Sequence, residues 1–342
     1  MKIGIVGYQS SGKSTLFAWL SGIAADPSLA HSGQTAAVEV IDPRVAKLAE
    51  IYAPKKITHA NLQLVDTPGL EKGSSSNAGH LSLIREAGCL VHVVDAYSGG
   101  DPLAHLASFD EDLLLADLEI VTRRVEKLTE SVKKPRPNRE EEQAELEALG
   151  PVLARLEEGK PLAGMELSPL QQRATRSFQL LTEKPQFVVF NLGDDGVVAD
   201  QLLAALPEHV PGVAFSVGLS AELAEMDEAD RAEFAEEMGG VTAEREPLLI
   251  QLMQASAQRL FFTAGEKEVR TWMIRDGATA GEAAGGIHSD LERGFVRAEA
   301  MSCDDLFRLG SEREIKANGL MRREVRDYVV QEGDILHILA ST

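Results

Sequence analysis

Short apolar runs alternate with helical patterns over residues 1–217. Residues 2–6 form an apolar run that ends at a glycine-rich turn, and residues 14–21 continue with amphipathic helical spacing. Similar β-rich runs occupy residues 61–65, 89–95, 186–191 and, more weakly, 211–217. Strands of this kind separated by helices predict an α/β fold with a doubly wound, mainly parallel sheet.

The periodicity becomes that of amphipathic helices between residues 110 and 183. Apolar residues recur at helical spacing from Leu113 to Leu128, the proline-containing tract 133–138 interrupts them, and a second helical pattern covers residues 140–157. This pattern predicts an antiparallel helical coiled coil inserted between two strands of the sheet. A surface helical hairpin without a partner would give the same pattern.

A third pattern begins at residue 259. Residues 269–274, 328–330 and 334–339 are predicted strands separated by glycine-rich turns, which predicts a small α+β module. We therefore divide the chain into a sheet domain of residues 1–109 and 184–258, a helical insertion of residues 110–183, and a C-terminal domain of residues 259–342.

Composition indicates a cytoplasmic globular protein. The chain has 342 residues, of which 44% are hydrophobic and 26% charged, so more than one domain is expected. No apolar run reaches the roughly 18 residues of a membrane span, and the N-terminus lacks the layout of a signal peptide. Cys89 and Cys303 are too few for a disulfide framework and lack zinc-ligand spacing. We expect no membrane association, and a monomer as the default.

The net charge of −20 narrows the expected partners. A protein that binds nucleic acid neutralises phosphates with Lys and Arg, and this chain has an excess of acidic residues. The charge therefore argues against a general polyanion-binding protein and against a protein that recognises DNA sequence. Two local basic clusters remain: Lys133, Lys134, Arg136 and Arg139 lie between the predicted helices, and Arg322, Arg323 and Arg326 lie in the C-terminal domain. A protruding basic tip can reach a polyanion despite an acidic body, whereas a solvated charged face explains the second cluster at least as well.

One motif defines a phosphate site. Residues 7–14, GYQSSGKS, match G-x-x-x-x-G-K-[ST] and lie between a predicted strand and a predicted helix, as the motif requires. Backbone N–H groups of such a turn and the helix N-terminus attract phosphate. Lys13 would reach the β- and γ-phosphates, and the Ser14 hydroxyl would bind Mg²⁺. The other predicted nucleotide contacts of this segment are Gly7, Ser10, Ser11, Gly12 and Thr15.

Two further segments complete the predicted site. The motif DTPG at residues 66–69 supplies Asp66 as a water-mediated Mg²⁺ ligand and the Gly69 amide as a sensor of the γ-phosphate. The motif NLGD at residues 191–194 parallels the N-K-x-D base motif of GTPases, with leucine in place of lysine. Asp194 would accept hydrogen bonds from guanine, although an ordinary exit from strand to loop also explains this segment.

The most distinctive similarity lies in the C-terminal region. Residues 261–272 (FFTAGEKEVRTW), 283–290 (AAGGIHSD), 294–299 (GFVRAE) and 327–334 (DYVVQEGD) resemble the signature of the YchF/Obg-like ATPase family. The resemblance extends over essentially the whole chain. It implies a P-loop domain with a coiled-coil insertion and a C-terminal TGS domain of the β-grasp fold. It further implies hydrolysis of ATP (or GTP) with Mg²⁺, and ribosomes, with RNA or tRNA, as partners.

The resemblance also implies roles for single residues. Asn191, Leu192 and Ser216 would contact the base, and the leucine at position 192 favours ATP over GTP. Thr35 would be a third Mg²⁺ ligand. Leu70 stands where Ras-like GTPases have the glutamine that orients the attacking water, so slow turnover is expected.

The chain also departs from the family. Ser10 stands where the family has asparagine, a position linked to potassium-assisted hydrolysis, and the segments after Thr35 and after Leu70 are shorter. His80 lies in the second shortened segment and could position water, although a solvated loop histidine is the simpler explanation. Two alternatives to an ATPase stay open: a GTPase that reads guanine through Asp194, and a ribosome- or RNA-binding protein whose nucleotide is structural and hardly hydrolysed.

Overall fold

The computed structural model describes residues 1–29, 32–72, 77–193, 199–227, 231 and 241–341. It divides into two compact units, Met1–Ala36 with Gln63–Glu244, and Ala37–Leu62 with Arg245–Thr342.

The strands are β1 (Lys2–Val6), β2 (Gln34–Val40), β3 (Ile57–Thr58), β4 (Ala60–Asp66), β5 (Cys89–Ala96), β6 (Gln186–Leu192), β7 (Gly212–Phe215), β8 (Gln258–Ala264), β9 (Val269–Arg275), β10 (Phe295–Ser302), β11 (Arg322–Glu324) and β12 (Asp334–Ala340). The α-helices are α1 (Lys13–Ser21), α2 (Arg44–Tyr52), α3 (Ala78–Arg85), α4 (Pro102–Ser131), α5 (Arg139–Glu157), α6 (Pro169–Thr175), α7 (Ala199–Ala204), α8 (Val217–Glu225), α9 (Arg245–Ala255), α10 (Ala280–Ile287), α11 (Ser289–Arg293), α12 (Cys303–Leu309) and α13 (Glu312–Ala317).

The first sheet has the strand order β2-β4-β1-β5-β6-β7. β1 pairs in parallel with β4 and with β5, and the pairs β5–β6 and β6–β7 are also parallel. The buried pattern of β5 and β6 is that of strands covered on both faces. The predicted doubly wound, mainly parallel sheet is therefore confirmed. The carboxyl ends of β1, β4, β5 and β6 meet at one edge, where ligands bind in sheets of this kind.

Helices α4 and α5 form the predicted antiparallel pair. Arg124 donates from Nε and Nη2 to the two carboxylate oxygens of Glu145, at 2.8 and 2.6 Å, and Val121 and Val152 lie in one apolar cluster. None of the described helices is long and apolar enough to cross a membrane.

Helix α4 begins at Pro102, earlier than residue 110 at which the insertion was predicted to start. The Asp101 carboxylate caps it by accepting hydrogen bonds from the amides of Leu103 and Ala104. The first two turns of α4 pack on the sheet domain, since Phe109 shares an apolar cluster with strand residues.

A buried carboxylate anchors the helical pair to the rest of the unit. Asp117 of α4 is 0% exposed. Its Oδ1 accepts from Arg85 Nη1 at 2.7 Å and from the Leu181 amide at 3.0 Å. Its Oδ2 accepts from the amide and the hydroxyl of Thr182 at 2.8 and 2.9 Å. These four donors offset the cost of burying the charge and join α3, α4 and the segment that returns to β6.

The second unit is built on a mixed sheet of order β11-β10-β12-β8-β9-β3. β12 is parallel to β8, whereas β8–β9, β10–β11 and β10–β12 are antiparallel. Ala280 and Ala283 of α10 pack with Phe261 and Leu336 of the sheet. A helix packed on a mixed sheet of this order is the predicted β-grasp fold.

The units differ from the predicted domain boundaries. Residues 37–62 lie in the second unit, as do residues 245–258. Arg44 pairs with Asp42 at 2.7 Å and also with Glu332, and the Tyr52 hydroxyl donates to Glu312 at 2.7 Å. Such distant pairings leave no periodic pattern in the sequence. The three-domain division at residues 110, 184 and 259 stays a prediction.

Candidate nucleotide site

The turn between β1 and α1 has the backbone of a phosphate loop. Gly7, Ser10 and Gly12 have φ angles of +147°, +60° and +99°, and Gly12 is the N-cap of α1. A side chain at position 12 would clash with Asn191, because an added Cβ would lie 2.3 Å from its Nδ2. Left-handed residues in such a turn allow successive amides to point at one anion.

Lys13 is almost completely buried at this turn. It is 6% exposed, and its Nζ donates to the Tyr8 carbonyl oxygen. Burial lowers the pKa of Lys13 to about 8, and nearby Asp66 raises it in part. Because little water screens its charge there, a buried ammonium interacts strongly with a phosphate.

Ser14 and Asp66 supply the oxygen atoms that a divalent cation would need. The Ser14 hydroxyl donates to Asp66 Oδ2 at 2.7 Å, which brings the two predicted ligands together. Asp66 Oδ1 is buried and has no hydrogen-bond partner within the described part of the chain, and burial raises the pKa of Asp66. A hydroxyl beside an unsatisfied carboxylate oxygen fits Mg²⁺, which prefers hard oxygen ligands.

The residues after Asp66 lie against the phosphate loop. The Leu70 amide donates to the Gly7 carbonyl and the Gln9 amide donates to the Leu70 carbonyl, both at 3.1 Å. Leu70 is 0% exposed, so its side chain belongs to the core. Gly69 lies beside Lys13, since a Cβ at position 69 would be 3.0 Å from its Nζ.

A cavity of about 380 Å³ is lined by half of the ten predicted phosphate and metal residues, namely Ser10, Lys13, Ser14, Asp66 and Gly69. Its lining is Gln9, Ser10, Lys13, Ser14, Ala25, Asp26, Leu29, Gln34, Asp66, Thr67, Pro68, Gly69 and His80. His80, the residue considered for positioning water, is therefore at the cavity. Its role stays a hypothesis.

Thr35 is not among the lining residues of this cavity. It lies exposed on β2, where the buried positions are Ala36, Val38 and Val40. Its neighbour Gln34 lines the cavity instead, with Oε1 accepting from the Asp26 amide at 2.8 Å. The alternation of a strand puts adjacent residues on opposite faces, and the sequence motif alone did not reveal which of the two faces inward.

A second cavity, of about 480 Å³, lies where the base was predicted. Its lining is Gly12, Thr15, Tyr97, Asn191, Leu192, Gly193, Ser216, Gly218, Leu219 and Glu222. Asp194 lies outside the described residues. Tyr97 and Glu222 were missed by the sequence reasoning, because neither belongs to a nucleotide motif. For Tyr97, the sequence offers one indication of a role at the site, namely its position just after a predicted apolar strand.

Asn191 connects three segments of the site. Its Nδ2 donates to the Ser11 carbonyl at 3.0 Å, and its Oδ1 accepts from the Val217 amide at 3.0 Å. Ser216 begins α8, where its hydroxyl accepts from the Leu219 amide at 3.3 Å. Asn191 and Ser216 therefore shape the cavity through the backbone. Leu192 is also a lining residue, but its side chain is 3% exposed and packs with Val94 and Phe190 in the core of the sheet.

The two basic clusters differ in their surroundings. Arg322 pairs with Asp334 at 2.8 Å and donates to the Tyr328 hydroxyl at 2.8 Å, so an intramolecular role explains it. The tip between α4 and α5 is exposed. Among the described residues, the one ion-pair partner of Lys133 is the exposed Glu130, at 2.6 Å.

Comparisons with known proteins show which family the chain resembles. The model of a 50S ribosome-binding GTPase matches residues 2–134, and the model of the YchF-GTPase C-terminal domain, described as a protein of unknown function, matches residues 259–341. The chain is 34% identical to "Ribosome-binding ATPase YchF" of Bacillus subtilis, over 98% of this chain and 97% of that protein. It is 35% identical to the protein of the same name from Escherichia coli O157:H7, over 99% and 98%.

A solved structure shows the same similarity in three dimensions. The YchF GTPase of Schizosaccharomyces pombe superimposes with a TM-score of 0.83 at 27% identity, covering 99% of this chain and 97% of that chain. With relatives above 30% identity over nearly the full length of both proteins, the chain belongs to the YchF family.

Proposed function

We propose that the chain is a nucleoside-triphosphatase that hydrolyses ATP in preference to GTP with Mg²⁺ and associates with ribosomes. The observation that carries the proposal is the meeting of Lys13, Ser14 and Asp66 at one cavity beside a phosphate loop. The names of the relatives support both halves of the proposal, since they are called ribosome-binding ATPases. Such a protein acts in the cytoplasm, where the ribosomes are, and we propose that it does so as a monomer.

The cavity residues would act by neutralising and positioning the γ-phosphate. Lys13 places a buried positive charge at the oxygens that become more negative as the bond to the β-phosphate breaks. The Gly69 amide lies beside Lys13 and would donate to the same phosphate. Ser14 and Asp66 would hold Mg²⁺, which when bound neutralises charge on the β- and γ-phosphate oxygens.

Slow intrinsic turnover follows from Leu70. Its side chain is buried in the core and its backbone is hydrogen-bonded to the phosphate loop. A leucine cannot orient an attacking water by a hydrogen bond, so the site as described supplies charge and position but little activation of water.

The base cavity supports the preference for ATP. Both polar atoms of the Asn191 side chain form hydrogen bonds within the protein, and the Leu192 side chain is buried in the core. The lysine with which GTPases cover guanine is absent at position 192. Without that lysine the cavity lacks one of the groups by which GTPases hold guanine, so adenine is no longer at a disadvantage.

Phosphate release from ATP and from GTP tests the proposal. Wild-type protein with Mg²⁺ is expected to release phosphate faster from ATP at equal concentrations. Lys13→Ala is expected to lower that rate by about 100-fold, the typical cost of losing one group that stabilises the transition state. Lys267→Ala, an exposed lysine in the other unit, is the matched control and should leave the rate unchanged.

Competition binding with Asp194→Ala separates ATPase from GTPase. Tighter binding of ATP that the substitution does not change supports the proposal. Tighter binding of GTP that Asp194→Ala abolishes would show a guanine-specific GTPase. Nucleotide binding without Lys13-dependent phosphate release, with or without ribosomes, would show a binding protein whose nucleotide is structural.

A further inference from the structure

The first unit contains a groove that is separate from the two cavities of the nucleotide site. None of its lining residues lines the cavity around Lys13 and Asp66 or the cavity around Asn191 and Ser216. The volume of the groove is about 950 Å³, and its walls come from α4, the segment after α5, the segment before β6 and the segment before β7. Leucines of α4 form one wall: Leu113, Leu114, Leu115 and Leu118. Leu115 is 51% exposed, so the apolar wall continues out to the surface. Leu113 is buried and Leu114 and Leu118 are half-buried, so the apolar surface open to a partner is that of Leu114, Leu115 and Leu118. An apolar groove that reaches the surface in this way is typical of interaction sites in soluble proteins.

Acidic side chains surround this apolar wall. The groove is lined by Asp110, Glu111, Glu157 and Glu183, against Lys184 and His209. The Lys184 ammonium offsets these acids only in part: burial raises the pKa of Glu183, whereas the charge of Lys184 lowers it, and the Lys184 Nζ donates to the Ala87 carbonyl at 2.6 Å.

Two of these acids are incompletely compensated. Asp110 Oδ1 is buried without a hydrogen-bond partner among the residues that the structure describes. Burial raises the pKa of Asp110 to about 6, although a hydrogen bond from Gln186 acts in the opposite direction. Burial also raises the pKa of Glu183. A cation bound in the groove would compensate Asp110, which burial leaves poorly solvated, and would pair with Glu183, which is exposed.

We propose that this groove binds a basic amphipathic helix of a partner protein. The apolar face of that helix would pack on Leu114, Leu115 and Leu118, and its Lys or Arg side chains would lie beside Asp110 and Glu183. An apolar groove with a charged rim is the usual receptor for such a helix. A second copy of this chain is the poorer occupant, since a protein with a net charge of −20 would bring more acid to an acidic rim. The proposal is independent of nucleotide hydrolysis.

Fluorescence anisotropy on the full-length protein tests it. The probe is a labelled peptide of about 18 leucine and lysine residues in helical i, i+3, i+4 spacing, long enough to form a helix. A peptide of the same composition in scrambled order has no apolar face and is the control probe. Wild type is expected to bind the patterned peptide at least about tenfold more tightly than the scrambled one.

Substitutions then locate the binding site. Leu115→Asp and Glu111→Lys are expected to weaken binding of the patterned peptide by about tenfold or more. Both side chains are exposed, so the variants are expected to fold, which circular dichroism checks. Leu170→Asp is the apolar control at a residue that is 60% exposed outside the groove, and Glu126→Lys makes the same charge change on α4 beyond it.

Each outcome decides the proposal. Loss of binding confined to Leu115→Asp and Glu111→Lys supports it. Equal loss in Glu126→Lys, or equal binding of the scrambled peptide, would show general attraction to an acidic protein and overturn it. Sedimentation in which wild type dimerises and Leu115→Asp does not would assign the groove to a second copy instead, which also overturns it.

Discussion

Gly69 lines the phosphate cavity, the cavity of about 380 Å³ around Lys13, Ser14 and Asp66, at a point where a side chain would not fit. An added Cβ would lie 3.0 Å from the Gln9 Cα, from the Gln9 amide nitrogen and from Lys13 Nζ. The two Gln9 atoms belong to the backbone, so moving them would require a shift of the phosphate loop. Gly69→Ala is therefore expected to displace Lys13 and to slow single-turnover phosphate release by about tenfold to a hundredfold, as sub-ångström to 1 Å misplacements do.

The control for this substitution is Gly79→Ala. Gly79 is exposed in α3 and an added Cβ would meet nothing within 4 Å, so the rate should be unchanged and the helix slightly more stable. Equal rates for wild type and Gly69→Ala would show that the glycine does not hold the phosphate end of the cavity.

At the scale of the elements, the helical pair depends on one buried carboxylate. Asp117→Ala removes the acceptor of four hydrogen bonds and leaves the Arg85 guanidinium, whose side chain is 11% exposed, without its anion. We expect urea denaturation to show a free energy of unfolding lower by about 3–5 kcal/mol, the usual cost of breaking a buried ion pair. Glu145→Ala breaks the half-buried pair with Arg124 on the same helices and should cost about 1 kcal/mol or less. Similar losses in both variants would contradict the anchoring role of Asp117.

The elements also show what the sequence could predict. Strands β1, β5 and β6 follow from local apolar runs, and the P-loop and Asp66 follow from motifs that lie at strand ends, so the sheet and the phosphate cavity were predictable. The second sheet was predicted in outline from its own strands. The further part of the second unit, residues 37–62, depends on ion pairs such as Arg44 with Glu332, which join residues far apart in the chain and leave no periodic pattern.

Some site residues could likewise be predicted from local sequence, whereas others depend on how the chain folds. Lys13, Ser14 and Asp66 were predictable because backbone geometry dictates their positions within a motif. Thr35 was not brought to the cavity, because a shift of one residue along β2 exchanges the two faces of the strand. Tyr97 reaches the site through a hydrogen bond from its hydroxyl to the Ser10 carbonyl, a contact that only the folded loop after β5 creates.

At the scale of the whole molecule, an acidic protein of net charge −20 has to approach a ribosome, whose surface RNA is a polyanion. The exposed tip between α4 and α5 concentrates Lys133, Lys134, Arg136 and Arg139. Glu130 and the acidic first turn of α5 lie next to it, but we expect the approach to RNA to be least repulsive where Lys and Arg are clustered and exposed. Lys133→Glu with Lys134→Glu is expected to weaken co-sedimentation with purified ribosomes by about tenfold and to reduce its dependence on salt, since fewer counterions are released on binding. Arg123→Glu with Lys127→Glu makes the same charge change on exposed positions of α4 away from the tip and should weaken binding much less. Equal weakening in both variants would mean that ribosomes respond to the overall charge of the chain, and the tip would then have no special part in the contact.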